Sequence, residues 1–202
     1  MTVLRMAPVV LCLAWMGVSV AEAQWTPAPG EPLLGRFHLW LKSGQADFDH
    51  QVAREWGVDR KGYLALEGYR GTKNDVYFGG EIARVADDRS INARGQTLRD
   101  LDLLWVELNV KTVLELRGNL SFGVGGGAAL FYVDGEEITI EGGEEISDPL
   151  ADLALGSQLF IDLTWRHKRL LLGADARYQW AFDVINVNYS NLRLGAHVGL
   201  AF

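Results

Sequence analysis

From Leu192 to Phe202 the even positions are Leu, Leu, Ala, Val, Leu and Phe, while the odd positions from Asn191 to Ala201 are polar or small. An apolar residue at every second position predicts a β-strand with one greasy face. The same alternation recurs along the chain. Phe37, Leu39 and Leu41 oppose Arg36, His38, Trp40 and Lys42, and Leu64 and Leu66 oppose Glu67 and its flanking tyrosines. Val76, Phe78 and Ile82 oppose Tyr77, Gly79 and Glu81. Leu104, Val106, Leu108 and Val110 oppose Trp105, Glu107, Asn109 and Lys111.

The second half repeats the pattern. Leu120, Phe122, Val124, Leu130 and Tyr132 share one face, with Ser121 and a run of glycines on the other. Leu159, Ile161, Leu163 and Trp165 oppose Gln158, Asp162, Thr164 and Arg166. Leu170, Leu172, Ala174, Tyr178, Trp180 and Phe182 oppose Asp175, Arg177 and Gln179. With the terminal segment this makes eight predicted strands. No segment carries a long 3.6-residue period, and the best helical candidate, 46–56, is expected to be an irregular loop. Many alternating segments separated by turn signals predict an all-β barrel or sandwich.

The connections alternate in length. "GTKND" (71–75), "RGN" (117–119) and the residues around "HK" (167–168) are short, whereas 43–61, 87–100 and 134–152 are long and 183–189 is intermediate. Short turns at one end and long loops at the other are expected of a transmembrane β-barrel. In a soluble barrel the apolar face points inward and water meets the polar face. Here the polar face mixes a few charges with Gly, Ala, Tyr and Trp, unlike a solvated surface. Trp165 and Phe202 near the short turns, and Tyr132, Trp180 and Phe182 near the long loops, fall where the interfacial girdles of a membrane barrel belong. The apolar face is therefore expected to meet lipid, in an eight-stranded antiparallel up-and-down transmembrane β-barrel.

The start of the chain fits that destination. Residues 1–23 combine basic Arg5, an apolar stretch and Ala21-Glu22-Ala23, the small-x-small pattern of a secretory signal peptide. Cleavage after Ala23 would remove Cys12, the single cysteine, so the secreted chain would hold no disulfide. Residues 24–32 read as a Pro-rich periplasmic leader and 33–202 as the barrel domain. The net charge is −7, and removing Arg5 and Glu22 leaves it unchanged. Such a balance argues against nucleic acid as a partner, which calls for a basic stripe.

On these residues the chain resembles the small eight-stranded outer-membrane barrels of Gram-negative bacteria, the group around the OmpA transmembrane domain, OmpX and OmpW. The resemblance implies a location in the outer membrane, contact with its lipid and lipopolysaccharide, and recognition of the last strand by the β-barrel assembly machinery. The matching residues are Leu194, Ala196, Val198, Leu200 and Phe202. It implies no particular activity, and the partners of the loops stay open.

Candidate chemistry lies first among the inward charges: Arg36, Lys42, Lys111, Arg166, Arg177 and Arg193 against Glu67, Glu81, Glu107, Asp162 and Asp175. Near-balance in a narrow interior points to a mutually paired network rather than a selective pore, because unpaired buried charges are costly. "GVGGGAA" (123–129) lacks the strand-turn-helix context of a nucleotide loop; its small residues are expected to make room for larger ones opposite. No cofactor is called for.

"DGEEITIEGGEEISD" (134–148) holds seven acidic residues and no basic one. It reads as a solvated loop without calcium-loop spacing. "DFDH" (47–50) also reads as exposed loop rather than a metal site. The alternatives to a non-enzymatic barrel are a lipid A-modifying enzyme and an OmpW-like conduit for small apolar molecules. PagL-type deacylases carry His-x-Ser-Asn, which neither 177–183 nor "NYSN" (188–191) reproduces, and a serine without a base is not activated. His38 and His197 both point inward on strands that would pair, and are expected to be structural.

Overall fold

The computed structural model describes residues 31–48, 60–72, 74–87, 91–93, 96–141, 144–181 and 190–202. The expected signal peptide and most of the leader, with Phe182 and the centres of several connections, lie outside them. Nine strands are present: β1 (Phe37–Phe48), β2 (Arg60–Gly71), β3 (Val76–Asp87), β4 (Ile91–Ala93), β5 (Gln96–Glu115), β6 (Leu120–Glu141), β7 (Glu144–His167), β8 (Leu170–Ala181) and β9 (Asn191–Ala201).

Eight of them close a barrel. Each long strand pairs antiparallel with its neighbour in sequence, β3 pairs with β5, and β9 returns to β1 with Leu41 opposite Val198. Closure removes the sheet edges and satisfies the backbone within the barrel, which is what allows a sheet to sit in lipid. The ninth strand, β4, forms a small hairpin with the start of β5, Asn92 opposite Thr97.

The parity holds through the barrel. Leu108 is 72% exposed while Trp105, three residues before it, is 1% exposed. The outward set is the apolar one, including Leu39, Leu66, Ile82, Val110, Leu159 and Leu194. A soluble barrel would show the reverse. Tyr132, Trp180 and Phe202 are also exposed on this outer face.

Three short turns join β2 to β3, β5 to β6 and β7 to β8. Asp75, Asn119 and Lys168 adopt left-handed conformations in them, as does Gly118, which carries no penalty there. At the opposite end three expectations are corrected. Residues 43–48 continue β1 and 60–61 begin β2 instead of belonging to the expected 43–61 connection. The long 87–100 connection holds the β4–β5 hairpin. The acidic stretch 134–148 belongs to a β-hairpin, paired from Asp134–Ala151 to Glu141–Glu144. β7 thus runs from Glu144 to Leu155 beyond Gly156–Ala181, the outermost rung it shares with β8 among the described residues.

The interior is stacked in three layers along the barrel. Toward the short turns lies an apolar cluster with Leu34, Trp40, Tyr69, Tyr77, Val113, Phe160 and Leu171. Toward the loops lies a second, with Ala46, Phe48, Tyr63, Trp105, Phe131 and Val133. Along β1 to β3 the charged residue sits between the two: Trp40, Lys42, Ala46; then Tyr69, Glu67, Ala65; then Tyr77, Glu81, Ala83.

Candidate functional site

Strand alternation turns Lys42, Glu67, Glu81, Glu107, Asp175, Arg177 and Arg193 into one layer of the lumen, all of them buried. The Arg177 guanidinium donates to Glu67 at 2.8 Å, lies 3.3 Å from Glu81 and also bonds Glu107. Arg193 bonds Glu81 at 2.7 Å and reaches Glu107 as well. The Lys42 ammonium stands 3.2 Å from Glu67, 2.8 Å from Glu81 and 3.1 Å from Asp175.

Neutral groups complete the layer. The Tyr69 hydroxyl donates to Glu67 at 2.8 Å. The Gln179 amide donates to Glu107 and, at 2.9 Å, to Gln158, which in turn donates to Asn109; Asn191 donates to Gln179 at 3.2 Å. These amides occupy inward positions, but alternation alone gives no sign that they bridge the charges. Dehydrating several ions in a narrow space costs several kcal/mol each. Here every carboxylate of the layer faces two or more cationic or hydrogen-bonding groups, which offsets that cost. Removing one member would leave the others uncompensated.

Lys111 and Asp162 form a second pair at 3.1 Å, nearer the short turns, with the Thr164 hydroxyl 3.1 Å from the same carboxylate. Glycine makes room for it. A Cβ on inward Gly123 would strike the Asp162 carboxylate, and one on Gly125 would strike the Phe160 ring and Lys111. The interior gap beside Trp40, Lys42, Asp175 and His197 leaves no volume for a water-sized sphere.

Two expected members lie elsewhere. Arg36 is exposed on the outer surface, because it precedes β1: Gly35, at φ 89°, reorients the chain and the alternation starts only at Phe37. Arg166 is buried but stands at the short-turn mouth, where it donates to the Leu33 carbonyl at 2.7 Å and the Lys168 carbonyl at 2.8 Å. That contact belongs to a cork which alternation could not reveal. Leu34 is 1% exposed, its N–H donates to the Tyr77 hydroxyl at 2.8 Å, and the Leu33 N–H donates to Asp75 at 2.7 Å. The residues just before β1 therefore fold across the base of the lumen.

His38 and His197 do not meet. The Trp40 ring stands between them, 5.3 Å from His38 and 3.8 Å from His197, centre to centre. His38 lies among Trp40, Tyr69 and Tyr77, and neither of its ring nitrogens has a hydrogen-bond partner among the described residues. His197 Nδ1 lies 3.4 Å from Asp175 and Nε2 lies 3.5 Å from Thr164. This carboxylate–imidazole–hydroxyl row is enclosed, with Thr164 fully buried, so a lipid ester on the outer face cannot reach it.

Outside, Leu194, Ala196, Val198, Leu200 and Phe202 form a continuous exposed row on β9. The Phe202 N–H donates to the Phe37 carbonyl at 2.7 Å, so the terminal residue is still paired to β1. At the loop end Asp134, Glu136, Glu144, Glu145 and Asp148 are exposed on the β6–β7 hairpin. No group of metal-ligating side chains forms a metal site among the described residues.

No protein-family model and no curated protein matches the sequence. Among solved structures, the chain is similar to Neisserial surface protein A, with 14% identity, 83% of this chain and 98% of that one covered, and a TM-score of 0.59. It is also similar to a major outer membrane protein from Thermus thermophilus, with 12% identity, 81% and 98% covered, and a TM-score of 0.54. The likeness is one of fold: an eight-stranded antiparallel barrel of the outer-membrane type.

Proposed function

We propose that this outer-membrane barrel is a non-enzymatic envelope protein whose lumen is a structural plug and whose hairpin presents an acidic surface outside the cell. The observation that carries the reading is the charge layer sealed between two aromatic and aliphatic layers. An eight-stranded interior is only about wide enough for side chains to fill, and here the gap beside Trp40, Lys42, Asp175 and His197 has no room for a water-sized sphere. A conduit needs a continuous path, and a lipid-modifying enzyme needs its nucleophile and base on the lipid-facing side. Both requirements run against the enclosed arrangement of His38, His197, Asp175 and Thr164.

The rest of the chain takes roles consistent with that placement. Residues 1–23 direct secretion, 24–32 lead in from the periplasm and 33–202 form the barrel. The outward row Leu194, Ala196, Val198, Leu200 and Phe202 serves as the signal for the β-barrel assembly machinery. The exterior contacts phospholipid and lipopolysaccharide, and the acidic hairpin supports envelope integrity or a surface interaction.

Two measurements on the purified protein test this reading: planar-bilayer conductance, and lipid A mass spectrometry after incubation. The expected result is no stable channel and no mass change. Large, sustained single-channel currents would overturn the plug, and loss of one acyl chain from lipid A would overturn the non-enzymatic assignment.

A further inference from the structure

Outward arginines are treated differently at the two ends of the barrel. At the loop end Arg60 lies 3.1 Å from Asp47 and Arg84 lies 2.7 Å from Asp102. At the short-turn end Arg36 and Arg70 are exposed, and no carboxylate pairs with either among the described residues. Arg117, Lys168 and Arg169 are exposed at the same end, with Glu115 exposed, Glu31 and Asp75 half-buried, and the main-chain oxygen of Phe202 accepting from the Arg36 N–H at 3.0 Å. Among the described residues the exposed side chains of the short-turn rim thus carry an excess of positive charge, although the chain as a whole is acidic.

Arg70 is also set into the membrane belt. On adjacent strands it stands opposite Phe37 on one side and Phe78 on the other, and both rings are exposed, by 51% and 54%. Its guanidinium lies over the Phe37 ring, 5.6 Å from the centre. An arginine facing acyl chains is tolerated near an interface, where its head can reach polar groups. These side chains, with Arg36, Thr72 and Pro32, line an open cleft of about 700 Å³ on the outer surface.

We propose that this cleft is a binding site for the headgroup phosphate of an anionic phospholipid in the periplasmic leaflet. Arg70 and Arg36 supply the fork-shaped donors that suit a phosphate. Phe37 and Phe78 take the first methylenes of the acyl chains, and the Thr72 edge admits a polar headgroup. The surrounding rim charges add a diffuse attraction for anionic lipid that does not select a single bound molecule. The site rests on the outer-membrane reading and adds to it a lipid preference on one leaflet.

The full chain would be reconstituted in nanodiscs of equal phosphatidylglycerol and phosphatidylcholine, and the lipids it retains counted by native mass spectrometry. Phosphatidylglycerol should be enriched at least about fivefold among retained lipids. R36Q/R70Q should abolish the enrichment, while R117Q/R169Q, which removes the same charge elsewhere on the rim, should keep most of it. Should the double variant fail to fold, R70Q alone carries the comparison.

Equal retention of the two lipids by the wild type would overturn the site, as would an equal loss in both double variants. Occupation of the cleft by another part of the chain would appear as the first of these results. A wild-type chain that did not enter nanodiscs at all would instead overturn the outer-membrane reading and the site with it.

Discussion

Arg193 and Glu81 are 112 residues apart in sequence, yet their side chains meet at 2.7 Å inside the barrel. β9 and β3 do not pair with each other. Their contact therefore crosses the lumen, and together with the bonds of Arg177 and Lys42 it ties the walls across the interior. The lumen is held by bridges as well as by the hydrogen-bonded wall.

Removing one end of these bridges should be expensive. Glu107→Ala leaves Arg177, Arg193 and Gln179 facing an empty space, and is expected to destabilise the barrel by about 3–5 kcal/mol. Glu107→Gln, which keeps the volume and an acceptor, should cost less. The check is urea unfolding in lipid vesicles followed by tryptophan fluorescence. An alanine variant as stable as wild type would show that the charges are not mutually required.

The glycines of β6 should resist enlargement on one side only. Gly125→Val would drive its side chain into Phe160 and Lys111, with an expected cost of about 1–3 kcal/mol. Ala128→Val adds bulk on the exposed outer face and should be close to neutral. The relevant readout is the temperature at which the folded gel band is lost. Equal behaviour of the two variants would contradict the inward packing of these glycines.

Phe202 should matter more for assembly than for secretion. Deleting it, or Phe202→Glu, removes the last apolar group of the β9 row and, on deletion, the bond from its N–H to Phe37. Cell fractionation should find the variant in the periplasm with reduced outer-membrane levels. Wild-type levels in the outer membrane would dismiss this residue as part of an assembly signal.

The β6–β7 hairpin should be dispensable for the barrel. Joining Glu136 to Pro149 through a two-residue turn removes pairs beyond the last β7–β8 rung together with buried Ile138, which pairs with Thr97 of β5, and should cost about 1.5–3 kcal/mol while leaving the barrel folded. Heat-modifiable gel mobility checks the fold, and protease added to intact cells should no longer find this segment. A variant that failed to fold would make the hairpin part of the barrel's stability rather than a projecting surface.

Which side each residue faces was decided locally. Successive side chains of a strand point to opposite faces, so the inward position of Lys42, Glu67 and Arg177 and the outward position of Leu39 and Leu66 follow from alternation. The lipid-facing sense of the apolar set was equally legible, because a water-facing wall would not mix Gly, Tyr and Trp with so few charges. The eight barrel strands and the short turns followed from the same pattern, whereas the short β4 did not.

Alternation stops informing where the membrane stops constraining. Arg36 shares the parity of the lumen, but a left-handed glycine beside it turns the chain, and the residue lies outside. The 134–148 stretch pairs as a hairpin without a continuous apolar face, although Ile138 is buried, since beyond the lipid a strand need not alternate and backbone bonds suffice. Its acidic composition concealed a strand. Partners across the lumen depend on closure, which sets Arg193 against Glu81, places Trp40 between His38 and His197, and folds Leu34 over the base. Those distances belong to the closed barrel. No local period encodes them, because each joins residues that only the shared cross-section of eight strands brings together.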